Sequence, residues 1–376
     1  MKKINIRFSV RRMVWILICI ISLLVSGVLE CISQSLINKL DTQQMAERWS
    51  NENDAAQVSC FFSVNAKITP DQLKDFYYNL DDALQEASIV SESENEGARL
   101  VTDAYSADGK ISITSKQATV DVDAIGIGGD FFLFHPLRLL SGSYFSGNDL
   151  MQDYVILNED AAWKLFGSTD IAGQYVEIKG VAHVVAGVIK QERGKLYEAA
   201  GLDGSMVYVS YDSLSKYGTN NGINHYELVM PNPVKEYAYQ YVTGAIGVDE
   251  NEAEIIENST RYSTWNRIKR IGQFSSRSMN GKAIIYPYWE NVARAYEDIV
   301  SLLMIFELIF LTLALGIIAV LCILWWRNKT WTVKGVSLWL KDKLERFAER
   351  MRLRHKEKKK YRHSKEWQDI KEYEEE

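Results

Sequence analysis

The sequence predicts an α+β two-span membrane protein, in which helical stalks carry an extracytoplasmic body made of a small α/β layer and a strand-rich block. Three observations lead there. Two apolar segments, residues 13–29 and 299–326, lie toward opposite ends and enclose a polar stretch. Basic residues flank each segment on its outer side. Between the segments, runs rich in β-branched and aromatic residues alternate with cap-and-proline helix starts.

The first segment has no formal charge and is only just long enough to cross a bilayer, whereas the second is longer and interrupted by Glu307 alone. Lys2, Lys3, Arg7, Arg11 and Arg12 precede the first; Arg327, Lys329 and Lys334 follow the second. Positive flanks stay inside, so residues 1–12 and 327–376 are expected in the cytoplasm, with the spans in the plasma (inner) membrane and the body outside. The net charge of -6 conceals this division: residues 30–301 carry 22 basic and 38 acidic residues, residues 327–376 carry 16 and 10. An acidic exterior argues against a nucleic-acid partner. The basic tail suits anionic membrane lipid.

Val25-Ser26-Gly27 also fits a signal-peptidase site. Against cleavage, Leu29, Ile32, Leu36 and Leu40 keep an apolar stripe at helical spacing past that point, which predicts a stalk over residues 30–56. At the far end Pro287 opens a run in which Tyr288, Val292, Ala295 and Ile299 recur, with Glu290, Arg294, Glu297 and Asp298 elsewhere around the helix. This predicts a second stalk over residues 286–298 that feeds directly into the second span. Roughly 40 helical residues would rise about 60 Å. The alternative is that both stripes pack on the body as ordinary core helices.

The body spans residues 57–285. Residues 58–64 read as a strand and Thr69-Pro70-Asp71-Gln72 as a helix start, with the helix running to about Ala87. Residues 226–230 followed by Asn232-Pro233 repeat the unit, with a helix through about Val242. Residues 57–95 and 205–246 therefore form the α/β layer. Residues 96–204 form the strand-rich block, with strands at 110–114, 119–127, 154–157, 175–178 and 183–189 and a further strand at 206–209. Turns are expected at Asp108-Gly109, Ser146-Gly147-Asn148 and Lys179-Gly180. A helix over residues 158–166 ends at Gly167. Residues 247–282 show no clear period.

No catalytic constellation is present, and no enzyme activity, cofactor or metal is predicted. His135, His183 and His225 lie far apart in sequence, without HExxH spacing, and read as satisfied structural histidines. Gly126-Ile127-Gly128-Gly129 reads as a turn ahead of Phe131-Phe132. Asp121 and Asp123 share a strand face but lack the further oxygens that calcium needs. Cys19 and Cys322 fall in the spans; Cys31 and Cys60 lie outside and form one disulfide if their backbones approach. Glu307 costs about 2.5–3.5 kcal/mol at a bilayer centre, so it either meets a partner helix or sits at the outer interface.

From Val120 to Leu214 the pieces VDVDAIGIGGDFFLFHPLRLLSGSYFS, DYVILNEDAAWKLFG, IAGQYVEIKGVAHVVAGVIK and MVYVSYDSL follow in order. This set resembles the periplasmic core domain of MacB/FtsX-type ABC-transporter permeases. The resemblance covers about residues 10–326, most strongly the middle third, and implies a core domain between two membrane helices. Family permeases continue through a coupling segment into two further membrane helices, where this sequence has a charged tail, so half of the usual membrane domain is expected to be missing. Because no GxxxxGK[ST] loop occurs, ATP hydrolysis is assigned to a separate ABC ATPase subunit, with a full permease or a second copy as further partners. The stalks would then transmit motion. A stand-alone sensor or binding protein for a peptide, protein or envelope component is the alternative.

In the tail, Trp325, Trp326, Arg327, Lys329 and Trp331 suit the membrane interface. Val336, Leu340, Leu344, Phe347 and Met351 repeat among Lys341, Lys343, Arg346 and Arg350, which predicts an amphipathic basic helix. It lies on the inner leaflet or packs on the ATPase, as the family's coupling segment does. Residues 355–360 and the Glu-rich end read as a solvated tip.

Overall fold

The computed structural model describes residues 10–50, 54–89, 99–202, 204–273, 284–327 and 337–356. The N-terminal Lys2, Lys3 and Arg7, together with Lys329, Trp331, Lys334, Val336 and residues 357–376, lie outside the described residues. By internal contacts the chain divides into Leu24–Phe310 and a second unit of Met1–Leu23 with Leu311–Glu376.

Helix α1 (Val10–Ile37) is followed by α2 (Met45–Trp49), β1 (Ala55–Phe62) and α3 (Pro70–Glu86). Thr69 and Gln72 close a reciprocal capping box with Pro70 in the first turn, so α3 starts where its sequence signature puts it. Next come β2 (Thr102–Thr114), β3 (Thr119–Gly129), the short α4 (Phe131–Phe134), β4 (Leu139–Gly142), β5 (Tyr154–Asn158) and α5 (Glu159–Phe166). The Asn158 side chain accepts from Ala161 N and Gly167 ends α5 with φ 67°. β6 (Tyr175–Ile178) and β7 (Val181–Ile189) form a hairpin through Lys179 and Gly180, both with positive φ, as a two-residue hairpin turn requires. The remaining elements are α6 (Lys195–Ala199), β8 (Met206–Ser210), α7 (Tyr211–Tyr217), β9 (Thr219–Asn220), β10 (His225–Pro231), α8 (Tyr237–Ala245), β11 (Ala253–Glu257), α9 (Thr264–Ile271) and α10 (Tyr288–Arg327).

The strands join in one sheet ordered β11-β1-β10-β2-β3-β8-β5-β7-β4, with β6 on β2 and β7 and β9 on β2. The long antiparallel pair β2–β3 connects the sheet's two ends. At one end α3 and α8 cover Val58, Cys60, Phe62, Tyr226, Leu228 and Met230, the alternate residues of β1 and β10. At the other, Ile113, Val155, Leu157, Val185, Val207 and Leu165 of α5 form a second core. A third core gathers Ile127, Phe131, Phe134, Ile156, Tyr208 and Val229 with Trp289 from the first turn of α10.

Three expected turns and starts fall elsewhere. Asp108-Gly109 lies inside β2, because β9 crosses so close that a Cβ on Gly109 would strike the Thr219 carbonyl. Gly126 and Gly128 lie inside β3: a Cβ on Gly126 would strike Leu214 of α7, and one on Gly128 the Tyr105 ring. These glycines serve close packing rather than a turn. Asn232-Pro233 does not open α8 directly; the Asn232 side chain accepts from Ala238 N, and the helix begins at Tyr237. Cys31 is exposed and Cys60 buried in the first core, and all four cysteines are free thiols.

In the other unit, Cys19 and Ile18 of α1 pack on Ala314, Ile317 and Leu321 of α10, with Cys19 Sγ 3.7 Å from the Ala314 carbonyl. α1 and α10 are both long and apolar enough to cross a membrane. Residues 337–356 are helical, with Leu340, Leu344 and Phe347 exposed.

Candidate functional site

The α10 segment within Leu24–Phe310 is fastened to the core domain by ionic side chains in a dry setting. Arg261 sits just after β11 and is 3% exposed. Its Nη1 and Nη2 donate to the two oxygens of Glu290 at 2.7 and 2.8 Å, its Nε donates to Glu297 at 2.8 Å, and Nη1 also reaches Gln43 Oε1 at 2.9 Å. Glu290 and Glu297 are as buried as the guanidinium. Burial disfavours the Arg261 charge, but the two carboxylates outweigh it and hold its pKa far above the ordinary value. Arg294 donates Nε to Glu290 at 2.7 Å, reaches Glu254 at 3.3 Å and lies over the Tyr286 ring at 3.8 Å. Arg270 reaches Glu297 at 3.4 Å. Three cations thus meet three carboxylates.

A second ionic contact joins α9 to α1. Arg267 of α9 grips Glu30 of α1 at 2.9 and 3.1 Å, and Glu30 also takes a bond from Gln34. Glu307 Oε2 is buried without a hydrogen-bond partner among the described residues.

The predicted stalk stripes are shifted on both helices. Val292 is buried, Tyr288, Ala295 and Ile299 are half-buried, and the deepest row on α10 is Trp289, Ala293, Glu297, Val300 and Met304. Glu290 and Glu297 do not occupy the solvated face where an apolar count puts them, because Arg261 neutralises them inside. On α1, Ile32 is exposed, Leu29 and Leu36 are half-buried, and Ser22, Ser26 and Ser33 are buried instead. Small hydroxyl side chains let helices approach closely, which an apolar-stripe reading overlooks. Leu40 is buried beyond the end of α1. Trp325, Trp326 and Arg327 are exposed at the end of α10.

Among the histidines, His183 is satisfied as expected, with Nδ1 at 3.0 Å from the Val181 carbonyl and Nε2 at 3.1 Å from Ser213 Oγ. His135 and His225 are not separate: α4 and β10 bring both onto Glu227, with Nε2 atoms 2.8 and 3.4 Å from its oxygens. All three are 1% exposed. Burial alone would raise the Glu227 pKa, but the two imidazoles overcome this and hold it far below the usual carboxylate range. Burial lowers that of His135. The missed signal was local: His225-Tyr226-Glu227 alternates on a strand, so positions 225 and 227 share a face.

The sequence profile described as MacB-like periplasmic core domain matches residues 16–254. The chain belongs to that family. A relative named macrolide export ATP-binding/permease protein MacB, from Chromobacterium violaceum, is 32% identical over 85 residues, 22% of this chain and 13% of its own length. The match therefore spans only a small part of that relative. The extracellular domain of the noncanonic ABC-type transporter YknZ from Gram-positive bacteria shares 16% identity over 53% of this chain and 99% of its own, at a TM-score of 0.35. The periplasmic region of MacB from Actinobacillus actinomycetemcomitans shares 14% over 58% and 93%, at 0.37. The family match ends at residue 254, so Arg261 and α10 lie beyond the matched MacB-like residues.

Proposed function

We propose that this MacB-like chain is a non-enzymatic, permease-like membrane subunit of an ABC-transporter system, which couples a separate cytoplasmic ATPase to the core domain by stalk motion. The observation that carries this reading is the buried clamp of Glu290 and Glu297 by Arg261. A helix that passes motion to a domain needs a joint that does not yield, and charge-assisted bidentate pairs have the geometric specificity for one. Both termini are cytoplasmic in this reading, which rests on the basic flanks of the two spans. Trp325, Trp326 and Arg327 mark the inner interface. The exposed Leu340, Leu344 and Phe347 give the following helix an apolar stripe for the leaflet or for the ATPase.

The test is a mild-detergent pull-down from native membranes, with mass-spectrometric identification of co-purifying proteins, using the full chain and a version truncated after Arg327. Recovery of an ATP-binding subunit with the full chain alone supports the coupling role and places the contact on the basic helix. If no ATPase accompanies either version, the stand-alone sensor or binding reading replaces it.

A further inference from the structure

We infer that His135, His225 and Glu227 form a buried site for one divalent transition-metal ion, zinc foremost, which ties α4 to β10 against the first turn of α10. One potential ligand atom from each residue lies within 4.8 Å of the others. Neighbouring ligands of a tetrahedral zinc ion, each about 2.0–2.1 Å from the metal, stand roughly 3.3 Å apart. The contacts on the page are of that order, with His135 Nε2 2.8 Å from Glu227 Oε2 and His225 Nε2 3.4 Å from Glu227 Oε1.

A plain buried ion pair would look different. Each imidazole N–H would point along its own axis at a carboxylate oxygen. Here His135 Nε2, His225 Nε2 and Glu227 Oε2 all lack a partner with hydrogen-bond geometry, despite their short separations. With His135 Nδ1, four orphaned polar atoms in one dry place demand an explanation. A shared cation supplies one for the two Nε2 atoms and Oε2, because it would take a lone pair from each group at once.

The surroundings are those of a ligand set. Ser106 Oγ stands 3.4 Å from His225 Nδ1 and orients that ring with Nε2 inward. Ser59 donates to Glu227 Oε1 at 2.7 Å and Gln57 approaches the same oxygen at 3.5 Å, while Oε2 faces His135 Nε2 at 2.8 Å. Asn258 in turn donates to Ser59. Phe131 stacks on His135 at 4.3 Å, Phe61 on His225 at 4.9 Å, and the Trp289 ring lies 4.4 and 5.2 Å from the two imidazoles. Two imidazoles with one carboxylate form a borderline donor set that suits zinc and its neighbours rather than calcium or magnesium. With all three residues 1% exposed, no substrate reaches the metal, so it acts as a staple and not as a catalyst.

The experiment uses the full chain in detergent with a histidine-free affinity tag. Metal content is measured by plasma mass spectrometry as purified, after chelator dialysis and after return of zinc or cobalt. The expected result is about one metal per chain, with a cobalt absorption spectrum that chelator dialysis abolishes. Zinc at a hundredfold excess over its dissociation constant should lower the unfolding equilibrium constant about 100-fold. H225Q and E227Q should lose the metal while H183Q keeps it. Failure of folded wild-type protein to take up zinc or cobalt overturns the site, as does equal loss in H183Q. If H225Q and E227Q do not fold, X-ray absorption on the wild type decides: two imidazoles with oxygen support the site, and sulfur or all-oxygen coordination overturns it.

Discussion

The two ends of the sheet are stabilised by different physics. Around β5, β7, β8 and α5 the core is built on apolar side chains and holds no buried ion pair among the described residues: Val155, Leu157, Leu165, Val185 and Val207 are each fully buried. Where α10 meets the domain, the interior instead holds Arg261, Glu290, Glu297, His135, His225 and Glu227, every one 3% exposed or less. Apolar burial is non-directional and tolerates small shifts. Buried charges tolerate none, since removal of one partner strands the other in a low-dielectric setting. The first region holds a shape; the second fixes a position.

Arg261→Met sharpens that contrast most. It should cost about 3–5 kcal/mol by leaving Glu290 and Glu297 with only Arg294 and Arg270 to balance them, whereas R261M combined with E290Q and E297Q should recover part of the loss. Urea denaturation of the full chain in detergent measures both, and a single-variant cost below about 1 kcal/mol would show that the clamp is not rigid. Leu157→Ala in the apolar half should cost about 3 kcal/mol, and no charge substitution elsewhere should restore it. Thermal melts of the single and combined variants distinguish the two behaviours.

A smaller effect tests the boundary between the halves. Burial raises the Asp103 carboxyl to about 6, against the Tyr226 hydroxyl bond that lowers it. The folded state therefore holds this proton more tightly than the unfolded chain. Its contribution is fully present below the ordinary carboxylate range and is lost as pH rises through about 6. Asp103→Asn should remove that slope, leaving the variant about 3 kcal/mol less penalised at neutral pH. The difference between wild-type and variant stability across pH 3–8, tracked by circular dichroism, checks the sign. Smallest is Asn158→Ala, which removes the α5 cap and the bond to the Gly204 carbonyl for about 1 kcal/mol, read from the shift in denaturation midpoint.

The apolar half was legible in the sequence because each signal there is local. The Asn158 cap, the Lys179-Gly180 hairpin and the period-two runs all act within a few residues of themselves, as does the Thr69 capping box at the other end of the sheet. The polar half was not, because its logic is long-range. Nothing near Glu290 in sequence announces a guanidinium 29 residues earlier, and an apolar stripe count moves such a carboxylate to the solvated face. His135 and His225 come from different elements, and only the alternation of 225 with 227 hinted at convergence. Glycine misled for a related reason: at Gly109 and Gly126 it makes room for β9 and α7, neighbours that a chain read in order has not yet reached.

One guanidinium holding two carboxylates seven residues apart makes the seating of α10 self-indexing. A slip of one helical turn, about 5.4 Å, in one direction would set Arg294 and Ser301 where Glu290 and Glu297 had been, opposing cation to cation. A slip the other way would present Tyr286 and Ala293, with no carboxylate at either place. Neither adjacent register reproduces the lock, so this helix carries its own vernier and admits a single reading of the scale.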